Sequence, residues 1–229
     1  MEKKELMKKV ESQMDSILRN EGFLKYKSFY YRPLLNRFLG AIAFSRSHFN
    51  SLTEFYMTAL VHVKNVNTAY ISDWLKKKTN CEYVYGGDIL ISNIGYITPS
   101  KRFLQSSFSI NALDNEKKLK EMMDVIVPAC NSFFHEIDSP DKFISYLMEN
   151  PVMERDSEIM LLYYCCNRKD LALKYLEMIR QGRIRVVTKN DTLFRDFCQM
   201  FETLLPEDPN ELLCEVPSYC RKRKIIFCD

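Results

Sequence analysis

Apolar and polar positions follow first a helical, then a strand, then again a helical period along this chain. From Lys3 to Asn20, Leu6, Met7, Val10, Met14, Ile17 and Leu18 recur at helical spacing, with Lys and Glu on the other face. That pattern predicts an amphipathic helix, stopped by Asn20-Glu21-Gly22. A β-rich stretch follows. Phe23 to Arg32 is dense in aromatics and closes at Pro33. Arg37 to Ser45 is apolar on both faces, as in a central strand covered on both sides, and Glu54 to Val63 repeats the pattern. Ser47-His48-Phe49-Asn50-Ser51 has turn composition and predicts a hairpin between these two strands. Asn67 to Thr79 returns to the helical period and ends on Lys76-Lys77-Lys78, cations that complement a helix C-terminus. Tyr83-Val84-Tyr85 and Ile89-Leu90-Ile91 flank the tight-turn signal Gly86-Gly87-Asp88. Ile94 to Ile97 is a further sheet piece, and Leu104 to Ile110 alternates as a strand with one face to solvent.

From Asp114 the period is helical almost throughout. The stripe from Leu119 through Met122, Ile126, Cys130 and Phe133 to Ile137 contains Pro128, which should kink or split the helix. Ser139-Pro140-Asp141 supplies a cap, a first-turn proline and an acid for the next helix, which Asn150-Pro151 stops. Ser157 to Cys166 and Asp170 to Arg180, turned by Asn167-Arg168-Lys169, predict an αα-hairpin. Asp191 to Leu205 is the last clear helix. After the break at Pro206-Glu207-Asp208-Pro209, Ile225-Ile226-Phe227 should dock on the domain, while the basic cluster before them stays solvated. The segregated order predicts an α+β fold: an N-terminal helix, an antiparallel sheet of about five strands with one inserted helix, then a mostly helical C-terminal part. It divides into residues 1–113, helix plus sheet, and 114–229, helical, the second part either packing on the same sheet as one domain or forming a subdomain.

Composition narrows the function classes. The 229 residues are 46% hydrophobic and 28% charged, which excludes a disordered or low-complexity chain. A chain of this length buries about 70% of its surface and needs no disulfide or metal to hold its fold. A net charge of +3 is too small to imply nucleic acid by itself. The charged N-terminus has no apolar signal core behind it, and the longest apolar stretches fall far short of a membrane span, so a cytoplasmic protein without membrane contact is expected. Seven of the eight cysteines lie after position 129 and none forms a Cys-x-x-Cys pair. They read as reduced thiols, with Cys214, Cys220 and Cys228 the only grouping that suggests metal or redox chemistry. No cofactor is expected.

No convergent catalytic set stands out. The glycines at 86, 87 and 95 lack the context of a phosphate loop, and there is neither a Gly-x-Ser-x-Gly elbow nor a His-Glu-x-x-His motif. Asp88 with Glu116-Lys117-Lys118 imitates a nuclease acid set, but Glu116 falls at a helix start. Ser47 and His48 are adjacent on an extended segment and point to opposite faces; His62 reads as a sheet histidine and His135 as a surface one. The run Lys25-Tyr26-Lys27-Ser28-Phe29-Tyr30-Tyr31-Arg32 interleaves rings and cations that can stack bases and neutralise phosphates. The candidate binding surface is therefore Lys25, Lys27, Tyr30 and Arg32, with Lys76, Lys77, Lys78, Arg221, Lys222, Arg223 and Lys224.

Several of these segments also carry a likeness. The helix end Leu18-Arg19-Asn20-Glu21-Gly22-Phe23, the strand Ser28-Phe29-Tyr30-Tyr31-Arg32, the strands Ala41 to Ser47 and Phe55 to Val61, and the helix Val127-Pro128-Ala129-Cys130-Asn131-Ser132-Phe133-Phe134 follow one another in a characteristic order. Over roughly residues 3–150 this order resembles an uncharacterised bacterial domain-of-unknown-function family, number 4304. The tryptophan-marked segment expected between its sheet and its helices is missing here; Trp74 comes earlier. The resemblance implies a small α+β domain without an assigned reaction, of a kind that includes immunity-type partners of toxins. The expected function is a non-enzymatic binding or regulatory protein with an unidentified protein partner. Fifteen Phe, 13 Tyr and 11 Met suit interfaces as well as cores. The alternative is a nucleic-acid-binding or -processing protein using residues 25–32 and the basic clusters.

Overall fold

Leu6, Val10, Met14 and Leu18, four residues apart, are the buried stripe of α1 (Lys3–Asn20), the first element of the computed structural model. The structure describes residues 2–46, 52–79, 88–98, 105–150, 152, 154–187 and 190–225. The turn 47–51 with His48, the 83–85 strand, Gly86-Gly87, and Ile226-Phe227 lie outside them. Gly22, at φ +82°, ends α1: its N–H bonds the Arg19 carbonyl, and the Phe23 N–H bonds Leu18.

The strands are β1 (Leu24–Tyr26), β2 (Phe29–Pro33), β3 (Phe38–Arg46), β4 (Glu54–Asn65), β5 (Asp88–Asn93) and β6 (Gln105–Ser109). They form one antiparallel sheet in the order β1-β2-β3-β4-β5, with β6 also pairing β4. The inserted helix is α2 (Val66–Thr79). Then come α3 (Asn115–Glu136), α4 (Pro140–Glu149), α5 (Arg155–Cys165), α6 (Lys169–Arg180), α7 (Asp191–Leu204), α8 (Pro209–Leu213) and α9 (Val216–Arg223). The class is α+β, as the element order predicts.

Five expectations need correction. The aromatic stretch 23–32 is a hairpin, with Lys25 opposite Tyr30 and Tyr26 opposite Phe29, turned at Lys27 with φ 55°. In β4, the odd-numbered residues from Phe55 to Val63 are buried and the even-numbered ones half-buried, so the strand does not repeat the two-sided burial of β3. Ile94–Tyr96 is a 3-10 turn. Pro128 does not split its helix: α3 runs unbroken from Asn115 to Glu136. The region after the Pro206–Pro209 break, where no further helix is expected, forms α8 and α9.

The chain makes two compact units. Unit 1 comprises 1–32, 40–62 and 90–136; unit 2 comprises 33–39, 63–89 and 137–229. In unit 1, α1 packs on α3. Gly40 of β3 lies against the Phe134 ring, where a Cβ would come within 2.6 Å of ring carbons. Phe55 and Phe108 stack at 5.2 Å across the β4–β6 pair. Unit 2 is helical around α5. The buried Asp156 carboxylate accepts from the Tyr175 hydroxyl at 2.8 Å and from the Val187 N–H at 2.9 Å, fixing the chain after α6. The Glu207 carbonyl accepts from Tyr164 and Lys169 at 3.1 and 2.5 Å, so the Pro206–Pro209 break is pinned to α5 and α6.

Candidate functional site

The eleven residues singled out for binding divide between the units, and the structure treats the two groups differently. In unit 1, Tyr30 is 3% exposed. Its hydroxyl donates to the Asp15 carboxylate on α1, as does the Lys25 ammonium at 2.7 Å. Burial, then Asp15, pushes the Tyr30 phenol well up. Burial also pushes the Asp15 carboxyl up, but the hydrogen bonds from Lys25 and Tyr30 and the charges of Lys25 and Arg19 outweigh it and hold it low. Arg32 is half-buried, with the Phe23 and Phe134 rings at 5.1 and 5.6 Å, and donates to Asn131 at 2.5 Å. Three of the four members of the 25–32 set are thus engaged inside unit 1, and Tyr30 is withdrawn from the surface. Lys27 stays exposed, above the Tyr26 ring at 5.5 Å. Phe29 packs its ring on His62 at 4.9 Å. Glu116 pairs with Lys9 at 2.6 Å in the first turn of α3.

In unit 2 the other seven residues lie on two helices, α2 and α9, that pack on each other. The key is Asp73, in the middle of α2. Its carboxylate accepts from the Tyr219 hydroxyl at 3.0 Å and pairs with Arg223 at 2.5 Å, both from α9. Lys76 and Lys77 follow Asp73 at i+3 and i+4, one turn on along the same side of α2. The Asp73–Arg223 pair thus ties the helix that carries 76–78 to the helix that carries 221–224. Lys76, Lys77, Arg221, Lys222 and Lys224 are exposed. Lys78 pairs with Glu207 at 3.0 Å and sits 5.0 Å over the Trp74 ring. Tyr70 and Tyr219 meet edge to face at 5.4 Å and support α9 on α2. Burial, then Asp73, pushes the Tyr219 phenol up. Lys224 closes α9 at φ 53°, its N–H bonded to the Arg221 carbonyl.

Sequence reading missed Asp73, Tyr219 and Arg37. Arg37 is exposed at φ 62° and donates to Asn67 at the start of α2 at 3.2 Å. Burial raises the Cys220 thiol, and the charges of Arg37 and Arg221 partly offset it. The signal for Asp73 was a lone acid one turn before three lysines; nothing in the sequence pointed to Arg37. Among the described residues, no group of three His, Cys, Asp or Glu is placed to hold a metal ion. Cys228 of the 214–228 grouping lies outside them. No helix among them is long and apolar enough to cross a membrane. No known family, curated protein or solved structure matches the chain. The likeness to the family numbered 4304 rests on the segments quoted above alone.

Proposed function

We propose that the chain is a non-enzymatic cytosolic binding protein that engages an acidic protein partner through the basic face of α2 and α9. The observation that carries this reading is the Asp73–Arg223 pair, which holds together the two helices that carry the cation clusters. Such a face steers and orients an anionic surface more than it adds raw affinity. A protein partner is favoured over nucleic acid on two grounds. In the ring-and-cation run 25–32, Lys25, Tyr30 and Arg32 are engaged inside unit 1, which leaves Tyr26 and Lys27 as its exposed ring and cation. The rings at the basic face are also engaged, Tyr70 with Tyr219 and Trp74 under Lys78, instead of standing open for base stacking.

The test uses the full chain with two probes, a polyglutamate peptide and a single-stranded DNA oligomer, titrated over salt. The reading expects the acidic peptide to bind and the Lys77→Glu/Lys222→Glu variant to lose that binding with an unchanged circular dichroism spectrum. DNA binding that is tighter than peptide binding and falls steeply between low and moderate salt favours the nucleic-acid reading instead. Binding of neither probe at low salt sinks both.

A further inference from the structure

Two carboxyl groups stand on α5 without solvent exposure, Asp156 and Glu158, and their surroundings differ. Asp156 meets donors: the Tyr175 hydroxyl at 2.8 Å, the Val187 N–H at 2.9 Å and the Arg155 guanidinium at 3.7 Å. Such neighbours favour a charged carboxylate. Glu158 lies two residues on, on another side of the helix. Its Oε1 is 2.9 Å from the hydroxyl oxygen of Thr68 on α2, itself fully buried. The same hydroxyl lies 2.9 Å from the Asn65 carbonyl oxygen.

A hydroxyl has one proton, and a carbonyl oxygen only accepts. With Glu158 ionised, these oxygens share a single proton, and one of the two 2.9 Å contacts sets lone pair against lone pair. With Glu158 protonated, it donates to Thr68, Thr68 donates to Asn65, and both contacts are hydrogen bonds. Burial favours the same state, because it disfavours charge.

The elements packed on α5 bring few charges to this core. The buried residues of α2 are apolar apart from the hydroxyls of Thr68 and Ser72, and those of α4, α7 and α8 are apolar throughout. From α6, Tyr175 is held by Asp156, and Lys169 donates to the Leu205 and Glu207 carbonyls. On α5 itself, Arg155 also donates to the Leu147 and Arg185 carbonyls, and the Tyr164 hydroxyl to that of Glu207. Cys165 stands two turns beyond Glu158; burial, then Glu158, pushes its thiol well up.

From the Asn65–Thr68–Glu158 chain we infer that Glu158 is a pH-sensitive switch, a neutral acid in the folded protein whose ionisation unseats α2 from α5. On ionisation the O–H bond of Glu158 breaks and its proton leaves to a solvent base. The new carboxylate draws the Thr68 proton away from the Asn65 carbonyl. Asn65 also caps α2, accepting the Asn67 and Thr68 N–H groups at 3.0 and 3.3 Å, so the disturbance reaches the helix start. The switch lies in the α2–α5 seam and does not depend on what the outer face of α2 binds.

The test titrates the full chain carrying 13C-labelled glutamate, with the Glu158 carboxyl carbon assigned through its own bonds. At about pH 7 it should keep the shift of a protonated carboxyl, whereas exposed glutamates titrate near about 4.3. Denaturant titrations between about pH 5 and 9 then compare the wild type with Glu158→Gln, which is neutral and can still donate to Thr68. A group raised on folding stabilises fully below its unfolded value and ceases to as pH rises through its folded value. The wild type should therefore lose stability relative to the variant across this range, by up to about tenfold in the folding equilibrium per pH unit. Amide protection in α2 should fall with it in the wild type and not in the variant. A carboxylate shift at neutral pH overturns the inference, and so do parallel stability curves. If Glu158→Gln does not fold, the carbon titration of the wild type decides.

Discussion

Four helices of this chain end on the same backbone pairing but with three different residue types in the left-handed position. Gly22 closes α1, Asn167 closes α5, Gly182 closes α6 and Lys224 closes α9, at φ 82°, 57°, 67° and 53°. In each, that residue's N–H bonds a carbonyl three residues back, and the next N–H bonds one five residues back. Glycine adopts this conformation freely, asparagine tolerates it, and lysine meets a steric cost of about 1–2 kcal/mol. Lys224→Gly should therefore raise stability by about 1 kcal/mol in a denaturant titration, and Gly22→Ala or Gly182→Ala should lower it similarly, although neither Cβ would meet an atom within 4 Å. Gly40 matters for another reason. Its Cβ would strike the Phe134 ring, so Gly40→Ala should cost about 1–3 kcal/mol by overpacking. Asp15 supplies a pH test. Its carboxyl is held below its ordinary 3.8, so its contribution is present above that pH and lost as pH falls through the lower folded value. Stability of the wild type should fall more steeply than that of Asp15→Asn below about pH 4; parallel curves remove Asp15 from the account.

At the scale of elements, the helices were legible wherever capping and stripe agreed. Ser139-Pro140 marks α4, and the Ser139 hydroxyl does accept from the Lys142 N–H at 3.3 Å. The hairpin at 23–33 was not legible, because its turn uses Lys27 at positive φ where the usual signal is Asn or Gly. The helix α9 was missed because Pro217 and four consecutive cations read as a tail. Its stability comes from tertiary bonds to Asp73 that no local pattern carries. Asp73→Ala removes the acceptor for both Tyr219 and Arg223. Amide exchange should accelerate in α9 and leave α5 and α6 unchanged, with a melting temperature lower by about 2–4 °C for each kcal/mol lost. Unaltered exchange in α9 means that Val216 and Cys220 hold it by burial alone.

For the whole molecule, the candidate site shows the limit of reading residues in order. Charge runs identified both cation clusters, yet the feature that brings their helices together is a contact between α2 and α9, and the run that looked richest, 25–32, turned inward through Tyr30 and Arg32. Similarly, the division at 113/114 marks a true change of period, whereas compactness groups α3 with strands of unit 1. Burial imposes one collective property. It is the first cause raising Tyr30, Tyr70, Tyr164, Tyr175 and Tyr219 above their ordinary 10.0. Groups raised on folding stabilise the protein below pH 10 and cease to do so as pH climbs toward their folded values. Stability should therefore decline above about pH 10, with tyrosinate absorbance appearing together with unfolding. Full tyrosine ionisation in a still-folded chain contradicts this.

The alternation of the units along the chain has a consequence for synthesis. The polypeptide passes between them at 32/33, 39/40, 62/63, 89/90 and 136/137. Unit 1 cannot close until α3 has left the ribosome. The early pieces of unit 2, Phe38 and the apolar side of α2, must wait for the C-terminal helices. At 5–20 residues per second, the interval between residue 33 and residue 137 is on the order of ten seconds. From their synthesis until then, Phe38, Val66, Ile71 and Leu75, all buried in the finished fold, are without their later partners. A nascent chain arrested far enough past residue 136 for α3 to have left the ribosome should carry a folded unit 1 beside protease-sensitive segments at 33–39 and 63–89, a natural client for a holding chaperone.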